Sequence, residues 1–140
     1  TYYVRDDISR RIGFNLACDT DRQLVYKYIY MLKDLRNAIA HNAVVFDTRF
    51  RSVDPNRAVK QCLRQEIGLP YVNFRTFGDY FILVCYYLKI LHVSKTEIKA
   101  FIREFEKITE DYVKSVDAAV AARVIHQDLS ARMMLLKGYI

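Results

Sequence analysis

Tryptophan is absent from this 140-residue sequence, and there are only four glycines and two prolines. An all-β fold needs frequent turns, and turns draw heavily on glycine and proline. Their scarcity points instead to long helices joined by few loops. The three cysteines, Cys18, Cys62 and Cys85, lie far apart and form no C-x-x-C pair. An odd number without metal spacing argues for reduced thiols in the cytosol. Cys85 falls in an apolar run and reads as a small core residue. No segment has the charged, apolar, then small-residue layout of a signal peptide. The most apolar stretch, Tyr80 to Leu88, is bounded by Asp79 and Lys89 and is too short to span a bilayer. It reads as a buried helix, so a cytoplasmic protein without a membrane partner is expected. There is no glycine-rich phosphate loop and no G-x-S-x-G elbow. His92 and His126 have no ligand-like spacing to Cys, Asp or Glu, and read as helix-end or surface histidines. No metal or other cofactor is implied.

What the chain does have is an excess of positive charge, +6 from 22 basic and 16 acidic residues. That favours an anionic partner, nucleic acid being the commonest. Arg10, Arg11, Lys60, Arg64, Arg123 and Arg132 are spread along the sequence, however, and define no continuous RNA groove. The length fits a single domain, 1–140, and the start at Thr1 rather than Met raises the expectation of a longer parent protein.

Helical periodicity organises most of the chain. Val4 to Leu16 carries Ile8, Ile12 and Leu16 at helical spacing. Thr20-Asp21-Arg22-Gln23 has the form of a capping box, and Leu24, Tyr28, Leu32, Leu35 and Ile39 then make one apolar stripe, predicting a helix to about Asn42. Val44 to Ser52 reads as a connection. Asp54-Pro55 signals a second start, with a stop near Gly68. An aromatic-rich helix is predicted from Thr76 or Phe77 to about Val93, its rings packing in the core. Ser94-Lys95-Thr96-Glu97 is another capping box, opening a helix with Ile98, Phe101, Ile102, Phe105, Ile108 and Tyr112 on one face and an apolar pattern continuing through Val116, Val120 and Val124. Glu104, Glu106, Glu110 and Asp111 among Arg103, Lys107 and Lys114 read as a solvated face. A short helix from Asp128 to Lys137 ends at Gly138. The sum is an all-α fold, a bundle of four main helices with short additional ones.

The chemistry-bearing feature is Arg36-Asn37-Ala38-Ile39-Ala40-His41, at the end of the Leu24–Ile39 stripe. At about 100° per residue, Arg36 falls on one flank of that stripe, and Asn37 and His41 fall on its far side, one turn apart. Tyr26, Tyr30 and Lys33 share the outward side, and tyrosine is enriched at protein interfaces. RNA cleavage needs a proton taken from the ribose 2′-hydroxyl, one given to the 5′-oxygen, and charge stabilised at phosphorus. A histidine serves as acid or base, an arginine holds phosphate oxygens in two-point contact, and an asparagine fixes the phosphate or the imidazole tautomer through its amide. One chain supplies one such histidine, and a dimer supplies two.

Leu35-Arg36-Asn37-Ala38-Ile39-Ala40-His41-Asn42 resembles the signature of the HEPN superfamily, and more narrowly that of Abi-like proteins of phage abortive infection, the AbiD and AbiF types. Those carry R-N-x-x-A-H-N at a helix end, followed by a connection and further helices. Here the motif is followed by a connection holding Phe46 and Arg49 and then by the aromatic-rich helix. The likeness runs from about Leu16 to Leu91 and is specific over the motif. It implies a helical bundle that dimerises, places two motifs in one cleft and cleaves RNA without metal, in phage defence or as a toxin. An antitoxin or other regulatory partner is then expected. Arg36 and His41 correspond to the catalytic pair and Asn37 to its polar support, with Lys33, Asn42 and Arg49 as RNA-binding residues. Ala43-Val44-Val45 departs from the family pattern, which has a basic residue soon after the His-Asn pair; Arg49 and Arg51 are the nearest substitutes. The competing reading is a helical module that binds RNA or a protein partner without catalysis.

Overall fold

In a computed structural model the described residues are 24–41 and 57–140. The features expected at the Val4–Leu16 segment, the Thr20 capping box, the 44–52 connection and Asp54-Pro55 lie outside them. The described chain is all-α, as expected, with six helices and no strand. They are α1 (Leu24–Ala40), α2 (Arg57–Ile67), α3 (Phe77–Ile90), α4 (Lys95–Ser115), α5 (Ala118–Val124) and α6 (Leu129–Tyr139). No described helix is long and apolar enough to cross a membrane.

The aromatic-rich α3 is the centre of the bundle and packs against α1, α4 and α6. Tyr80, Phe81, Ile82, Leu83, Cys85, Tyr86 and Ile90 are all buried on it, which confirms core packing for its rings and for Cys85. Tyr86 stacks on Tyr28 of α1 at 5.7 Å between centroids and on Tyr139 of α6 at 5.8 Å, while its hydroxyl meets the Cys62 thiol of α2 at 3.5 Å. On the opposite side Phe81 stacks on Phe105 of α4 at 3.9 Å. Tyr86 alone thus joins three neighbouring helices. Burial drives the Cys85 thiol up to about 12, so at neutral pH it stays a protonated, unreactive core group.

Boundaries follow identifiable local chemistry. The α2 helix stops at Gly68 (φ +78°), whose amide donates to the Arg64 carbonyl at 3.0 Å. A Cβ there would meet nothing, so glycine is required by the backbone conformation alone. The Ser94 hydroxyl accepts from the Glu97 amide at 3.3 Å, the first bond of the expected capping box, and donates to the Glu97 carboxylate at 2.5 Å.

Five expectations are corrected. Ile39 is not a core residue but is 55% exposed; Leu24, Tyr28, Met31 and Leu35 form the buried row of α1. Its direction lies within about 50° of that row, so position decides: it stands in the last turn, where no described neighbour covers it. On α4 the buried row is Ile98, Ile102, Phe105 and Thr109, which leaves Phe101 and Ile108 exposed. Thr109 is tolerated there because its hydroxyl donates to the Glu106 carbonyl at 2.8 Å. The helix also does not continue through Val120 and Val124. Val116 is extended, and the Asp117 carboxylate accepts from the Ala119 amide at 2.8 Å to start α5. At the other boundaries α3 ends at Ile90 rather than Val93, because His92 turns left-handed (φ +60°), and α6 carries Gly138 inside its last turn.

The least anticipated feature is an ion pair in the core. Asp79, in the first turn of α3, is 1% exposed and accepts from the Arg132 guanidinium of α6, itself 3% exposed. Its other oxygen accepts from the backbone amides of Asn73 and Phe74, at 3.0 and 2.8 Å. Phe74 is left-handed (φ +55°) and fully buried, so the carboxylate holds a backbone that a bulky residue disfavours. Asp79→Ala is expected to cost about 3–5 kcal/mol of unfolding free energy in urea titration, because it leaves a buried guanidinium unpaired. Lys137→Ala, which breaks the more exposed Glu106–Lys137 pair, should cost less than about 1 kcal/mol. Equal losses for the two variants would remove the buried pair from this role.

Candidate functional site

The burial of Leu24, Tyr28, Met31 and Leu35 fixes the rotation of α1 and so decides what its other side presents. Tyr26, Ile29, Tyr30, Lys33, Arg36, Ala40 and His41 are exposed and Asn37 is half-buried, so the motif lies on the outward surface, as its spacing predicts. Tyr26, Ile29 and Tyr30 are each more than half exposed, an unusual density of large apolar side chains for a solvent face. Tyr26 and Tyr30 lie with ring centroids 6.3 Å apart, and the Lys33 ammonium sits 5.2 Å from the Tyr30 ring centre.

Within the motif, Arg36 Nη1 donates to Asn37 Oδ1 at 2.8 Å. The amide oxygen is therefore engaged in orienting the guanidinium. The His41 amide donates to the Asn37 carbonyl at 3.0 Å, which seats the histidine one turn beyond Asn37 at the helix end. Arg36 and Asn37 are thus brought into contact, and His41 is exposed on the same end of α1. Lys33 is one turn before them. Asn42 and Arg49 lie outside the described residues. Among the described residues, no three His, Cys, Asp or Glu side chains gather as metal ligands do.

A second polar cluster was not anticipated. The Tyr71 hydroxyl donates to Asp128 Oδ2, His126 Nδ1 lies 2.6 Å from Asp128 Oδ1, and Tyr71 Oη is 3.3 Å from the same ring nitrogen. Arg132 stands over the Tyr71 ring at 5.2 Å. The His-x-Asp spacing before α6 was the local signal for the pair, but Tyr71, more than fifty positions earlier, had none. This cluster fastens the α2–α3 connection to the start of α6, beside the buried Asp79–Arg132 pair. His126 keeps its exposed position, as expected, but it has partners.

No family model, curated protein or solved structure matches the chain.

The Tyr71–Asp128 contact gives the fold a pH signature. Burial and the hydrogen bond to Asp128 push the Tyr71 phenol up to about 12. Burial alone would raise the Asp128 carboxyl, but the hydrogen bonds from Tyr71 and His126 outweigh it and hold the group below the ordinary aspartate range. For Tyr71 the neutral form is favoured in the fold, so its contribution is complete below about pH 10 and is lost as pH climbs towards the folded value. For Asp128 the charged form is favoured, so its contribution is complete above about pH 4 and is lost as pH falls through the depressed value. Urea midpoints measured against pH should therefore show wild type losing its advantage over Tyr71→Phe at both extremes. Parallel curves for the two proteins would contradict this.

Proposed function

We propose that the chain is a metal-independent endoribonuclease of the HEPN type, acting in phage abortive infection or as a toxin, with Arg36 and His41 paired across a homodimer. The observation that carries this reading is the outward presentation of Arg36 and His41, with Arg36 already oriented by Asn37, beside an exposed apolar strip of Tyr26, Ile29 and Tyr30. The reading also rests on the resemblance of Leu35 to Asn42 to the HEPN signature.

In the proposed reaction the imidazole of one His41 takes the proton of a ribose 2′-hydroxyl, whose oxygen attacks the adjacent phosphorus. The bond from phosphorus to the 5′-oxygen breaks, and that oxygen receives a proton from the second His41. The products are a 2′,3′-cyclic phosphate and a free 5′-hydroxyl. Each Arg36 guanidinium, held by Asn37, faces the phosphate oxygens as negative charge gathers on them. Asn37 acts here as a positioning residue, and Lys33, Asn42 and Arg49 are assigned to the RNA strand on either side. Every step uses side chains of this sequence, and none needs a metal.

Cleavage of RNA by the purified protein in excess chelator should yield 2′,3′-cyclic phosphate ends. His41→Ala should lower the rate by about 10²–10⁴-fold as a lost acid–base group. Arg36→Ala should lower it by about 10²–10³-fold as a lost charge stabiliser. Arg36→Lys should rescue little, because an ammonium cannot reproduce two-point contact. A protein that binds RNA but leaves it intact under every condition would replace the nuclease by a non-catalytic RNA-binding protein. The exposed tyrosine strip favours one further alternative, a protein-interaction module. In that case both motif variants would behave as wild type, and substitution of Tyr26 and Tyr30 would abolish partner binding.

A further inference from the structure

On the side of α2 that faces away from the core, the fold builds a groove of about 720 Å³. Its polar wall is Arg57, Lys60, Gln61, Arg64 and Gln65, and Tyr71 closes one edge. The two apolar residues that line it, Leu69 and Val72, are buried in the floor. Among the described residues, none that lines it is acidic. Arg57, Lys60 and Arg64 follow the spacing i, i+3, i+7, so they form one row about 10 Å long. The burial of Val59, Cys62, Leu63 and Ile67 turns Arg57 and Arg64 outward and leaves Lys60 half-buried at the border of the row. Among the described residues neither Arg57 nor Arg64 makes an ion pair.

We infer that this groove binds the sugar–phosphate backbone of single-stranded nucleic acid. A concave row of cations suits a thin, regularly charged chain, and the two guanidinium groups suit phosphate oxygens in two-point contact. The Gln61 amide both donates and accepts, as a ribose or a base edge requires. Tyr71 also lines the groove, with Arg132 over one face of its ring, so that only the other face can meet an unpaired base. An acidic peptide would seek side-chain pockets and a membrane surface would take exposed apolar residues, and the groove offers neither. The assignment goes beyond the nuclease reading and stands without it, since the groove lies on α2 and uses none of the α1 motif.

Fluorescence anisotropy with a labelled oligodeoxythymidylate separates the two claims, because a strand without 2′-hydroxyls is not cut by the proposed chemistry. Wild type should bind it with affinity falling with salt at a slope of about −2, from about −0.7 per neutralised phosphate, or about 20-fold between 50 and 200 mM. The triple variant Arg57→Glu, Lys60→Glu, Arg64→Glu should lose most of the affinity and most of the slope. Arg103→Glu, Lys107→Glu, Lys114→Glu on α4, with the same change in net charge, should retain both. Arg57→Gln with Arg64→Gln, checked for an unchanged helical spectrum and cooperative melt, should lie between. Equal losses for the two triple variants would reduce the effect to net charge and overturn the site. Unchanged binding in the α2 variants, or equal affinity for polyglutamate of matching charge, would also overturn it.

Discussion

A carboxylate with nowhere to go but inward constrains this bundle most. Asp79 stands in the first turn of the most apolar helix of the described chain and is fully enclosed, so its charge has to be met by the protein. Arg132 meets one oxygen and two backbone amides meet the other. Three things are fixed as a result: where α6 lies, how the α2–α3 connection turns, and the unfavoured conformation of Phe74. The Tyr71–Asp128–His126 cluster continues the same fastening towards the surface. The groove on α2 borders this fastening through Tyr71, so its edge is set by the same contacts that close the core.

The candidate site depends on the core in a different way. Of the motif, only Ala38 packs against the core beside the apolar row of α1. That row sets the rotation of the helix, and the motif takes the direction left over. Stability and chemistry are thus divided between two faces of one helix. Tyr28 stacks inward on Tyr86, while Tyr26 and Tyr30, two positions to either side, point outward. The outward face combines exposed rings with an oriented arginine and a terminal histidine. In the proposed function a second copy of the chain docks on this face and brings another histidine to the same phosphate.

Much of the helical layout was legible because its signals are local. The Ser94 capping box, Gly68 after α2 and the buried aromatic run of α3 were each readable within a few residues. The errors share a cause as well. Ile39, Phe101 and Ile108 are apolar residues at acceptable helical spacing, and only the positions of neighbouring helices leave them exposed. Val116 continued an apolar rhythm that the Asp117 cap interrupts. The pairing of Asp79 with Arg132 joins residues 53 positions apart, which no periodicity reports. Lys60 and Arg64 looked scattered when counted with Arg10, Arg11, Arg123 and Arg132. They become a row only once Arg57 is included and α2 is rotated by its buried face, whereas Arg132 leaves the surface altogether. The outward direction of Arg36 and His41 was legible, but the exposure of Ile39, the half-burial of Asn37 and the contact between Arg36 and Asn37 were not.

The central claim is that the motif works in pairs, and a mixing experiment tests it most directly. Wild-type chains are unfolded and refolded together with increasing proportions of His41→Ala chains, and RNA cleavage is measured at constant total protein. If both histidines of a dimer are required, activity follows the square of the wild-type fraction, reaching about one quarter at equal mixing. A linear fall to about one half would mean that each chain cleaves by itself, and would contradict the account.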